Sequence, residues 1–196
     1  LEGRNALLKA ERRSEEELLA FEQAMHGPGQ LLARARAAVL PELAATLREA
    51  CARAGFSDQG ADLLYRPDCP ADDLGETWRR LRVADLAAGT TLRGPHRDDF
   101  EILFHQQDAA DYASEGQQRL LVLALSLARL QRDSQRAPTP PVILADDVLG
   151  ELDETRRRAF WEQVGEAHQV IATGTVPPPS GAWLTYRVAS GAYVPA

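Results

Sequence analysis

Apolar residues recur at helical spacing through the first part of the chain. Leu18, Leu19, Phe21 and Met25 follow Ser14 and Glu17, a serine and a glutamate spaced as a capping box, so the pattern predicts an amphipathic helix from Ser14 to Met25. Gly27, Pro28 and Gly29 predict its end. A second helical pattern runs from Leu31 to Ala54 through Leu40, Leu43 and Leu47, with Gly55 expected as its cap and Pro41 expected to kink or split it. Ala61 to Tyr65 reads as a short strand, a loop rich in Pro and Asp follows, and Asp73 to Leu86 reads as a third helix.

From Thr90 the pattern changes. Phe100, Ile102 and Phe104 alternate along one face of a predicted strand, with a hairpin turn near Gln106 and Gln107. A helix is predicted from Gly116 to Arg132, a loop from Asp133 to Pro141, a buried strand from Val142 to Ala145 and a helix from Glu154 to His168. A second buried strand, Val170 to Thr173, and a last one, Trp183 to Ala189, complete the order. Strand, helix, strand in that sequence indicates a parallel sheet covered by helices. The expected class is α/β, with residues 1–87 as a mostly helical arm and residues 88–196 built on a parallel sheet.

With 44% hydrophobic and 26% charged residues among 196, the composition is that of an ordinary globular chain. No apolar run approaches the roughly 18 residues that a bilayer span requires, and Leu1 to Lys9 lack the order of a signal peptide, so no membrane and a cytoplasmic location are expected. Cys51 and Cys69 are too far apart for a Cys-x-x-Cys motif and read as packed thiols. A net charge of −7 argues against a surface that is basic throughout, although a local arginine stripe is enough to meet phosphates. Arg34, Arg36 and Arg48 read as a solvated helix face. The chain starts at Leu1 without an initiator methionine, which is compatible with residues upstream.

Two segments carry candidate chemistry. Ser114-Glu115-Gly116-Gln117-Gln118-Arg119 precedes a leucine-rich helix, where a serine hydroxyl and approachable backbone amides favour an anion such as a terminal phosphate. The simpler reading is a capping box between Ser114 and Gln117. Val142 to Ala145 ends in Asp146-Asp147, which would place a metal-holding Asp at the carboxyl edge of a parallel sheet; Asp146 would hold Mg²⁺ and Asp147 would orient or deprotonate water. The simpler reading is two acids in a solvated turn. Gly94-Pro95-His96-Arg97-Asp98-Asp99 reads as a turn in which Arg97 pairs with Asp98 or Asp99 at the surface, or as a place where His96 and Arg97 meet nucleotide or DNA.

The linear order of these segments is that of the C-terminal half of an ABC-type ATPase head. The strings Arg4-Asn5-Ala6-Leu7-Leu8-Lys9, Gly94 to Asp99, Ser114 to Arg119, and Asp146-Asp147-Val148-Leu149 with Glu151-Leu152-Asp153 resemble RecF, the recombination and repair ATPase family related to SMC and Rad50 heads. The resemblance extends over essentially the whole chain. It implies that Ser114 and Gly116, with Gln117 in the same motif, contact the γ-phosphate held by the opposite subunit. It makes Asp146 the Walker B acid, puts Asp147 where related proteins have a glutamate base, assigns Asp153 to a loop crossing the dimer interface, and sets Thr173 or Thr175 where other heads have a switch histidine. Glu115 and Gly150 depart from the family pattern. The implied cofactors are ATP and Mg²⁺; the implied partners are DNA, duplex and single-strand gap junctions, an ATP-dependent second copy, and mediator proteins such as RecR.

A Walker A motif needs Gly-Lys followed by Ser or Thr, and the sole lysine, Lys9, follows Leu8. The chain alone is therefore expected not to hydrolyse ATP, and a P-loop is expected upstream of Leu1. A Rad50 or SMC head fits less well, because residues 1–87 show no sustained heptads and no Cys-x-x-Cys hook. The alternative of a different class is a non-catalytic module that binds DNA or a partner through its arm.

Overall fold

Helix α1 (Glu2–Lys9) leads to α2 (Glu15–Arg53), a helix of 39 residues that carries Pro28 and Pro41 inside it. The computed structural model describes residues 1–11, 14–53, 60–147, 150, 152–165, 168–178, 181–189 and 191–195. Ser14 caps α2 as its spacing predicts, its hydroxyl accepting from the Glu17 amide at 3.2 Å, and Glu15, Glu16 and Glu17 complement the positive helix terminus. The break predicted at Gly27-Pro28-Gly29 does not occur. An interior proline costs about 3 kcal/mol and a glycine about 1, but contacts on both sides of the triplet hold the helix straight through it. Met25 packs on the buried cluster of Cys69, Leu74 and Trp78, Gln30 Nε2 donates to the Ala71 carbonyl at 3.1 Å, and Arg34 pairs with Asp72. Gly29 is there for close approach: a Cβ would lie 2.6 Å from Leu74 Cδ2. The split predicted at Pro41 likewise does not occur, and the Gly55 cap lies outside the described residues.

Two units divide the chain, Leu1–Ala44 with Asp62–Tyr112 and Ala45–Ala61 with Ala113–Ala196. In the first, β1 (Ala61–Arg66) is followed by a short turn of helix at Ala71–Asp73 and by α3 (Leu74–Ala88). Gly89, at φ +62, closes α3 in the left-handed conformation that glycine adopts without strain. Strands β2 (Asp99–Phe104) and β3 (Gln107–Asp108) pair antiparallel, Leu103 with Asp108 and Phe104 with Gln107, in a sheet ordered β1-β2-β3. His105 and Gln106 turn between them with φ +51 and +65, the two positive values that a tight hairpin turn demands. The short α4 (Ala109–Tyr112) ends this unit.

Burial in the first unit centres on a charge. Arg4 of α1 is fully buried; it contacts Glu22 Oε1 at 2.9 Å, Asp85 Oδ2 at 2.8 Å and Thr91 Oγ1 at 2.6 Å, and its guanidinium lies 5.9 Å from the Trp78 ring centre. Asn5 Oδ1 accepts from the Thr91 amide and hydroxyl. The Arg-Asn pair therefore joins α1 to α2, α3 and the loop after α3.

In the second unit α5 (Glu115–Arg136) buries Leu120, Leu121, Ala124, Leu127 and Ala128, an i, i+1, i+4, i+7, i+8 stripe. The loop predicted from Asp133 begins only at Ala137, whose extended backbone is what Pro138 imposes on its predecessor. Strands β4 (Ile143–Asp146) and β5 (Val170–Thr173) are parallel, as predicted, with α6 (Glu154–Val164) between them in sequence. Helix α6 stops short of the predicted His168 because Gly165 turns at φ +68. The apolar runs of β4 and β5 predict burial on both faces, yet Leu144 is 75% and Ile171 57% exposed. Among the described residues β4 and β5 pair only with each other, and these two side chains are left uncovered. β6 (Tyr186–Ala189) starts later than predicted and pairs antiparallel with β7 (Ala192–Pro195), a strand that the sequence pattern does not reveal. The cysteines are packed and unpaired, and burial pushes the Cys51 thiol up to about 11. No described helix is long and apolar enough to cross a membrane.

Candidate functional site

Parallel pairing of β4 and β5 sets Asp146 opposite Thr173. The Thr173 hydroxyl donates to Asp146 Oδ1 at 2.5 Å and accepts from the Asp147 amide at 3.1 Å; the Thr173 carbonyl accepts from that amide at 3.2 Å. Asp147 itself sits at φ +49, a left-handed backbone that aspartate tolerates better than most non-glycine residues but still at a cost of about 1 kcal/mol. Gly150 closes the turn: its amide meets the Asp147 carbonyl at 3.5 Å, and a Cβ on it would stand 3.1 Å from Asp147 Oδ1. The departure at Gly150 thus leaves room for the second carboxylate. Val148, Leu149 and Glu151 lie outside the described residues.

Ser114 is the N-cap of α5, and the capping box is complete: its hydroxyl accepts from the Gln117 amide at 3.4 Å, and Gln117 Oε1 accepts from the Ser114 amide at 2.8 Å. Gln117 is engaged in this reciprocal cap. The hydroxyl serves as acceptor there, so its own proton is free for another oxygen. Gly116 has ordinary backbone angles, and a Cβ on it would meet nothing within 4 Å. Nothing among the described residues accounts for a glycine at a position where alanine would favour the helix by about 1 kcal/mol. Glu115 is exposed in the first turn, where its charge suits the helix dipole. Asp153 caps α6, accepting from the Arg156 amide at 2.8 Å.

These residues fit a nucleotide–metal complex. Mg²⁺ is commonly held by one or two carboxylates, with phosphate oxygens and water completing its shell. Among the described residues no group of three or more His, Cys, Asp or Glu side chains could hold a metal unaided. Asp146 is exposed at a strand end with one carboxylate oxygen already oriented, which suits a metal that arrives with most of its ligands.

Gly94 to Asp99, in the first unit, is tied down by bonds that sequence spacing did not suggest. Asp98 is 2% exposed at its side chain and accepts from Arg36 Nη1 at 3.0 Å, Tyr65 Oη at 2.5 Å and the Asp68 amide at 3.0 Å. Of the two acids expected to pair with Arg97 at the surface, Asp98 is thus buried against other donors. Asp68 in turn accepts from the Gly94 amide at 2.8 Å and from Arg93, while His96 Nε2 contacts the Thr91 carbonyl at 2.9 Å. Arg36 also donates to the Pro95 carbonyl, so it is a structural arginine rather than part of a solvated face; Arg34 makes an exposed pair with Asp72. No local signal could have found the partners of the Asp98 carboxylate, which lie 30 to 62 residues away.

No protein-family model matches the chain. The DNA replication and repair protein RecF of Deinococcus deserti is 38% identical over 170 residues, covering 86% of this chain and 46% of that protein. That of Microcystis aeruginosa is 35% identical over 193 residues, covering 89% and 52%. The chain is similar to RecF over most of its length. It matches a RecF C-terminal portion and spans about half the length of the curated relatives. Two solved structures described as the recombination mediator protein RecF with ATP and with ATPrS have TM-scores of 0.81 and 0.79, at 23% and 24% identity. They cover 100% and 98% of this chain and 55% of each of those chains. The fold is accordingly α/β, shared with those RecF structures.

Proposed function

We propose that this chain supplies the signature and Walker B half of a RecF-type, ATP-dependent DNA-binding protein of replication, recombination and repair. The observation that carries the reading is the junction of β4 and β5, where Asp146, Asp147 and Thr173 come together at the carboxyl edge of a parallel pair, in a chain similar to RecF. Carboxyl edges of such sheets are where nucleotide–metal chemistry is placed. Bound ATP with Mg²⁺ supplies the electrophilic phosphate. Asp146 would hold the metal, and Asp147 would orient the attacking water and accept its proton. Ser114, with the amides of Glu115 and Gly116, would meet the γ-phosphate of ATP held by a second copy, with Asp153 at the same interface. Residues 1–87 would act as the arm and 88–196 as the head lobe.

Nucleotide bridging two copies converts binding energy into dimer stability, and hydrolysis withdraws it. The dimer would engage duplex DNA beside single-strand gaps in the cytoplasm and promote recombinase loading with a mediator such as RecR. ATP turnover in this reading belongs to a protein that also carries a Walker A lobe. Light scattering with ATP and Mg²⁺, on this chain and on the chain extended through any upstream Gly-Lys-Ser/Thr lobe, tests it. The extended form dimerises and this chain does not; dimerisation of neither would leave a non-catalytic interaction module as the better reading.

A further inference from the structure

The Thr173 hydroxyl has one proton and sits between a group that can only accept and a group that can only donate. The Asp146 carboxylate takes that proton at 2.5 Å, so the bond from the Asp147 amide at 3.1 Å must use an oxygen lone pair. One side chain thereby fixes two things: the orientation of the first acid and the left-handed turn that starts the second. The strand register makes this arrangement, since Thr173 is the residue paired with Asp146. Among the described residues no other side chain is bonded to the Asp146 carboxylate, and Asp147 makes its amide bonds to Thr173 alone.

We propose that Thr173 is a positioning residue of the metal site: it acts through Asp146 and the Asp147 backbone, presenting one pre-oriented carboxylate to the divalent cation that accompanies the nucleotide. This inference rests on the nucleotide reading of the site. Partners that orient a metal-binding carboxylate characteristically change metal affinity or activity by 10- to 100-fold when removed. Thr173→Val keeps the β-branched shape that suits β5 and removes only the hydroxyl; Thr173→Ser keeps the hydroxyl and removes the methyl.

The test uses the protein at its natural full length, with two readouts: Mg²⁺ titration of nucleotide binding, and hydrogen exchange at the Asp147 amide without nucleotide. Thr173→Val is expected to raise the half-saturating Mg²⁺ concentration about 10-fold and to speed exchange at Asp147. Thr173→Ser is expected to stay close to the parent in both. Thr173→Ala replaces the Val variant should that fail to fold. Unchanged Mg²⁺ demand in Thr173→Val, while Asp146→Asn raises it, would overturn the positioning role and leave the nucleotide reading standing. If Asp146→Asn also leaves Mg²⁺ demand unchanged, the metal site itself is misplaced and the inference falls with it. A Ser variant as impaired as the Val variant would show that packing, not the hydroxyl, is what matters.

Discussion

Arg4 Nη1 lies 2.8 Å from Asp85 Oδ2, with Arg4 fully buried and Asp85 1% exposed. Glu22 completes the pair from α2 at 2.9 Å and is itself held by Arg82 at 2.5 Å. Removing one partner of such a buried set strands the others without compensation, a loss of about 3–5 kcal/mol. Arg4→Met is expected to lower unfolding free energy by about that amount in denaturant titration. Arg4→Lys should recover little of it, because one ammonium cannot reach Glu22, Asp85 and Thr91 together. A loss below about 1 kcal/mol would show that the network contributes little.

Two neighbouring glycines of α2 should respond differently to alanine. At Gly27 a Cβ meets nothing within 4 Å outside its chain neighbours, but it would crowd the Pro28 ring, which offsets the gain of about 1 kcal/mol in helix propensity and leaves Gly27→Ala near neutral. At Gly29 the Cβ would be 2.6 Å from the fully buried Leu74, so Gly29→Ala should destabilise by about 1–3 kcal/mol despite its better helix propensity. Paired melting curves decide it, and a Gly29→Ala loss no larger than that of Gly27→Ala would contradict the packing described around the triplet.

Stability should fall at alkaline pH in two steps. Burial pushes the Cys51 thiol from 9.0 up to about 11, and burial together with the bond to Asp98 pushes the Tyr65 phenol from 10.0 up to about 12. In both, the folded state favours the protonated form, so the contribution is complete below the ordinary value and is lost as pH rises through the folded one. The windows are pH 9 to 11 for Cys51 and pH 10 to 12 for Tyr65. Tyr65→Phe should flatten the upper step, and also lower stability at neutral pH by roughly 1–3 kcal/mol through loss of a hydrogen bond to a carboxylate. An unaltered alkaline profile in Tyr65→Phe would assign the step to another group.

Capping and phosphate contact at Ser114 can be separated. Ser114→Asn retains a good N-cap, so the melting temperature should change little, whereas the hydroxyl proton offered to phosphate is lost. In a protein carrying the P-loop lobe, Ser114→Asn and Ser114→Arg are both expected to weaken ATP-dependent dimerisation while the monomer still binds ATP. Loss of monomer binding, measured by titration calorimetry, would place Ser114 in the wrong half of the site.

The candidate site was legible in the sequence as a set of separate motifs. Ser114 with Gln117, and the apolar run ending in Asp146-Asp147, are local patterns whose geometry follows from a few neighbouring residues, and the capping box and the strand are both present. Spacing could not show that the hydroxyl of Thr173 joins the two acids, because that depends on the β4/β5 register between positions 26 and 27 residues apart.

The sequence by itself determined the elements whose causes are local: the caps at Ser14 and Ser114, the leucine stripe of α5, the parallel order of β4 and β5, and the RecF-like motif order. Only the tertiary structure decided that α2 continues through Gly27-Pro28-Gly29, that Asp98 is a buried acceptor for Arg36 and Tyr65, and that Arg4 joins three segments. Local preferences are worth about 1 to 3 kcal/mol per residue. Packing of Leu74 on Gly29, or burial of a charge with its partners, is of the same size or larger, and it acts between residues that only the folded chain brings together.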